Sequence, residues 1–109
     1  MDFEGLASRL GIDKEDFLEL TELFITTTQS DIDKIRRGVD GNRPSDAAAA
    51  AHSIKGAAGN MGFEDMAEFA RKIEFQGKEG RFDGVDAWAD EMDALLNRLR
   101  ESMANESYG

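Results

Sequence analysis

Apolar residues recur every three or four positions along almost the whole chain, and no stretch alternates apolar with polar in twos. That period matches one face of an α-helix and no strand, so it confines the chain to an all-α fold. Phe3, Leu6, Ala7 and Leu10 form a short first stripe, with Gly11 as its C-terminal stop. Asp13 suits an N-cap, and Glu15 and Asp16 follow in the first turn, where the helix dipole favours negative charge. Phe17, Leu20, Phe24, Thr28, Ile32, Ile35 and Val39 then predict a second helix from about Lys14 to about Val39. Thr26, Thr27 and Thr28 have middling helix propensity and mark a place for a bend without demanding a break.

Residues 40–44, Asp-Gly-Asn-Arg-Pro, read as a loop, with Pro44 near the start of the next helix. The third helix is expected from about Ser45 to Met61, burying Ala47, Ala51, Ile54, Ala58 and Met61, with Gly62 as its cap. Met66, Phe69, Ala70, Ile73 and Gly77 give a fourth, from about Glu64 to Gln76, and residues 77–82 read as a turn. Asp83 suits the cap of a last helix with the stripe Val85, Trp88, Met92, Leu95, Leu96, Leu99 and Met103. Four long amphipathic helices on short loops pack most simply as an antiparallel up-down four-helix bundle, with the short N-terminal helix as an extra lid. At 109 residues the chain has room for one core. The expectation is a single domain over 1–109, with its bundle core at about 13–104 and a frayed tail at 105–109.

Charge and cysteine content narrow the function. Thirteen basic against twenty-three acidic residues leave a net charge of -10, which opposes nucleic-acid phosphates and anionic membranes. With no Cys, disulfides, thiol catalysis and Cys-based zinc sites are all excluded. No apolar run approaches the length of a membrane span, and the N-terminus lacks a signal-peptide pattern, so a cytoplasmic location is expected; the protein is also expected to be a monomer.

The third helix holds one feature that a bundle does not need. At 100° per residue, His52, the only histidine, lies about 160° from Ile54, on the side away from the apolar stripe. Ala48 and Ala49 precede it by one turn on that face; Lys55 and Gly56 follow by one turn and Gly59 by two. Apart from Lys55, these carry one side-chain carbon or none, where a surface helix would ordinarily carry Glu, Lys or Gln. Each glycine costs about 0.5–1 kcal/mol against Ala in a helix interior. Either a neighbouring helix packs closely there or a partner docks, and two glycines beside an outward histidine favour docking over Ala48, Ala49, Gly56 and Gly59. Helical side chains lean toward the N-terminus, so the Lys55 ammonium can reach back over His52. An imidazole of ordinary pKa, about 6.5, is a competent nucleophile near neutral pH, and a nearby cation would stabilise an anionic phosphoryl group.

His52-Ser53-Ile54-Lys55-Gly56, with Gly62 ten residues after the histidine, resembles the HxxKGxxxxxG signature of histidine-containing phosphotransfer (HPt) domains, such as those at the ends of hybrid sensor kinases. The resemblance implies that His52 accepts a phosphoryl group from the aspartyl phosphate of a receiver domain and passes it to another receiver. It implies that Lys55 counters the phosphoryl charge and Gly56 leaves space for the partner. Glu74, twenty-two residues after His52, matches the family position that orients the imidazole, although a Glu on a helix is often just a solvated carboxylate. Arg71 and Lys72 are candidates for added positive potential. The partners implied are response-regulator receiver domains, with a hybrid histidine kinase as a donor, and any Mg²⁺ belongs to the receiver.

No cofactor or metal of its own is expected. No phosphate-binding GxxxxGK[ST] loop is present, so the expectation is a phosphoryl carrier and not a kinase. Position 49, three before the histidine, is Ala, which removes the Glu-x-x-His spacing of a di-metal bundle. Two other readings fit the residues: the phosphoacceptor domain of a chemotaxis-type kinase, and a helical docking module without chemistry. Pure docking gives no reason for pairing Lys55 with His52.

Overall fold

The computed structural model describes residues 1–108, with side chains to residue 106. Among the described residues the chain is helical throughout: α1 (Phe3–Leu10), α2 (Lys14–Asp40), α3 (Pro44–Met61), α4 (Glu64–Lys78) and α5 (Val85–Tyr108). The stops lie where the local chemistry puts them. Asp13 caps α2 by accepting a 2.8 Å hydrogen bond from the Asp16 backbone. Gly11 and Gly62 end α1 and α3 in left-handed conformations, with φ of 72° and 83°.

The structure departs from the sequence expectation in several informative places. Helix α4 continues through Gly77 to Lys78 because Gly77 packs against α3; a Cβ there would lie 2.6 Å from the Pro44 carbonyl oxygen and 2.8 Å from the Ala48 Cβ. Helix α5 starts at Val85, so Gly84 (φ 77°) precedes it and Asp83 is not its cap. Helix α5 continues over residues 105–108, within the tail expected to fray; Gly109 lies outside the described residues. A 2.7 Å ion pair from Lys14 to Glu106 ties that last turn to the start of α2. On α2, Leu20 is 44% exposed and its neighbour Thr21 is buried instead. Thr21, four residues after Phe17 and three before Phe24, lies on their face, and its hydroxyl donates a 2.8 Å bond to the Phe17 carbonyl. Leu10, likewise placed in the α1 stripe, is also exposed.

The helices close into a ring in which α3 packs on α2 and α4, and α5 packs on α4 and α2, with α1 laid on α2. Cross-helix contacts give two pair directions. His52 meets Glu74 while Ala48 meets Gly77, so α3 and α4 run antiparallel. Arg36 meets Asp90 and Asp93 while Gln29 meets Arg100, so α2 and α5 do too. Ile32, Ile35, Ile54, Ile73, Met92 and Leu96 are fully buried, each contributing about 1.5–3 kcal/mol. Under α1, the rings of Phe3, Phe17, Phe63 and Phe24 follow one another at centroid distances of 6.2, 6.1 and 5.0 Å. This packing fixes α3 and α4 against each other and sets the rotation of α3 about its axis.

Candidate functional site

With Ala51, Ile54 and Ala58 of α3 at 0% exposure, the rotation of the helix leaves no choice for residue 52. His52 points outward, its side chain 65% exposed. Beside it Gly56 and Gly59 are exposed, and a Cβ built on either would meet nothing within 4 Å. Close helix packing therefore does not explain these two glycines. Gly77 is the one that packing requires. Ala49 is exposed as expected, but Ala48 is not: it is 6% exposed, turned toward α4 beneath Gly77. Because α3 is covered on two sides, it buries a wider arc than a single apolar stripe suggests.

Glu74 of α4 is buried, its side chain 5% exposed, and lies behind the imidazole. Its Oε2 is 2.6 Å from His52 Nδ1 and its Oε1 is 2.6 Å from Lys55 Nζ. A third donor, Lys78 Nζ, approaches Oε2 at 3.3 Å from one turn further along α4. Burial works to raise the Glu74 pKa, but the hydrogen bonds from Lys55, His52 and Lys78 outweigh it and hold the carboxyl at about 2. Glu74 is therefore ionised near neutral pH and can only accept hydrogen bonds. Nδ1 must then carry the proton it shares with Oε2, which leaves the Nε2 lone pair of a neutral ring free. Among the described residues Nε2 has no protein partner.

Lys55 lies where α3 geometry puts it, one turn after His52, but its ammonium is engaged with Glu74 and so shares the carboxylate with the imidazole. Arg71 and Lys72 do not join the site. Arg71 is forked onto Glu68, and Lys72 lies over the rings of Phe69 and Trp88 at 5.8 and 5.9 Å. Lys78 takes the place proposed for them. Its signal in the sequence was the Glu74–Lys78 spacing of four, which puts both on one helix face. Among the described residues no cluster of His, Asp and Glu is arranged to hold a metal ion, and no helix is long and apolar enough to cross a membrane.

An exposed histidine on a bare helix face, backed by a buried carboxylate and two lysines, has the chemistry to take up and release an anionic group at a ring nitrogen. The chain belongs to the Hpt domain family, whose model matches residues 19–102. That family defines a phosphotransfer role in two-component signalling; Hpt domains are phosphotransfer carrier modules that interact with response-regulator receiver domains and kinases. No curated protein and no solved structure matches the chain significantly.

Proposed function

We propose that this protein is a phosphorelay carrier that holds a phosphoryl group on Nε2 of His52 between two receiver-domain aspartates. The observation that carries the reading is the 2.6 Å contact between His52 Nδ1 and a buried, ionised Glu74 on a face otherwise stripped of side chains. With Nδ1 protonated, the Nε2 lone pair attacks phosphorus in the receiver's aspartyl phosphate. The P–N bond forms as the P–O bond to aspartate breaks, and the aspartate leaves as a carboxylate. The ring keeps its Nδ1 proton and becomes a phosphoimidazolium, whose positive charge faces Glu74. Onward transfer reverses these steps, with the electron pair of the P–N bond returning to Nε2. Lys55 counters the phosphoryl charge, and Gly56 with Gly59 and Ala49 lets the receiver approach the α3 backbone. Positioning and charge stabilisation supply most of what such a transfer needs. The receiver contributes the aspartate and its Mg²⁺.

The test is transfer of label from a phosphorylated receiver to this protein. The parent is expected to acquire acid-labile, base-stable label, and His52→Gln to acquire none while keeping its helicity. Equal labelling of the His52→Gln variant would refute the assignment. Docking of the receiver without any label would leave a binding module in its place.

A further inference from the structure

We propose that Lys78 is a positioning residue for the phosphohistidine, acting through the Glu74 oxygen it shares with His52 to set how long the phosphoryl group stays on the ring. The inference rests on the carrier reading above. It starts from an asymmetry in how one carboxylate is used: Oε1 serves Lys55 alone, whereas Oε2 serves both His52 Nδ1 at 2.6 Å and Lys78 Nζ at 3.3 Å. A Glu–Lys pair four residues apart is ordinarily a solvated surface pair. Here only the lysine end is solvated, 69% exposed, while the carboxylate end is 5% exposed and bonded to the reacting ring. Lys78 also lines, with His52, Glu74, Gly77, Ala48, Ala49 and Ser45, an open groove of about 620 Å³ between α3 and α4. Gly77 and the two alanines put no long side chain between the ammonium and the imidazole across this groove.

Charge decides the direction of the effect. Before transfer the cluster holds two ammoniums, one carboxylate and a neutral ring, a residual charge of plus one. Phosphorylation brings about two negative charges on the phosphoryl group and one positive charge on the ring, and the cluster becomes neutral. Without Lys78 the same event ends one charge negative. The uncompensated negative charge disfavours the phosphorylated ring and shortens the life of the P–N bond.

The experiment labels His52 with phosphoramidate, which needs no receiver, and follows decay of the phosphohistidine by ³¹P NMR in parent, Lys78→Ala and Lys78→Arg proteins. The expected half-life in Lys78→Ala is shorter by about two- to five-fold, the range for a solvated ion pair. Lys78→Arg is expected to restore it, and ¹⁵N shifts of the His52 ring are expected to move in the alanine variant only. An unchanged half-life in Lys78→Ala, or a shortened one that arginine does not restore, overturns the role of Lys78 while leaving the carrier reading intact. Failure of the parent to take up label at His52 under phosphoramidate or receiver overturns the carrier reading itself, and the inference with it.

Discussion

Replacing Glu74 with Gln keeps the shape of the side chain and removes its charge, which isolates what the buried carboxylate contributes to stability. The carboxyl is held at about 2 in the folded protein, against an ordinary value of about 4.3 in an unfolded chain. Linkage converts that gap into roughly 3 kcal/mol near neutral pH. Because His52 and Lys78 are solvated on their outer sides, about 2 kcal/mol is the better expectation for the loss in Glu74→Gln. A depressed carboxylate pKa stabilises the fold above the unfolded value, and that stability drains away as pH falls toward the folded value. The gap between parent and variant should therefore be constant above about pH 5, narrow as the pH falls from about 4.5 to 2, and close below about pH 2, as the parent's Glu74 becomes protonated. Urea unfolding followed by far-UV circular dichroism at several pH values measures this directly. A gap that persists unchanged at low pH would mean that shape and not charge is at stake. No gap near pH 7 would mean that the three donors do not hold the carboxylate as described.

The helix glycines give a paired prediction. Gly56→Ala should stabilise the protein by about 0.5–1 kcal/mol, since its Cβ enters open space, whereas Gly77→Ala should destabilise it by about 1–3 kcal/mol by driving α3 and α4 apart; thermal melts separate the two. Gly56→Glu should retain the fold but weaken receiver binding by at least ten-fold in a titration, through bulk and charge placed on the bare face. In the receiver transfer assay, Glu74→Leu should slow labelling more than Glu74→Gln, because only Gln keeps an oxygen that can accept from Nδ1.

Much of this site was legible before any coordinate. The phase of Ala51, Ile54 and Ala58 alone turns His52 outward, and the cost of Gly56 and Gly59 marks the face as unusual. The partners of Glu74 were harder to read. Long cationic side chains choose among several neighbours within a few ångströms, and helical period does not rank those choices. Arg71 finds Glu68 on its own helix and Lys72 finds two aromatic rings, while Lys78 reaches the carboxylate. Ala48, and the helix end expected before Gly77, depart for a related reason: a one-helix pattern does not show that a second helix lies against the flank of the first. Leu20 and Thr21 lie equally far round α2 from the line joining Phe17 and Phe24, so the helical period does not choose between them, and the Thr21 hydroxyl, bonded to the Phe17 carbonyl, leaves only a methyl group to bury.

The Gly56–Gly59 strip offers an incoming domain little but backbone and Cβ atoms, which every helix shares. Such a surface cannot tell one receiver from another. Under the proposed carrier role, selectivity among receivers would fall to side chains beyond the strip, such as the exposed Leu20 and Leu23 of α2 and Phe75 of α4. A carrier divided in this way can change partners by substitution at its rim while the histidine and carboxylate at its centre stay as they are.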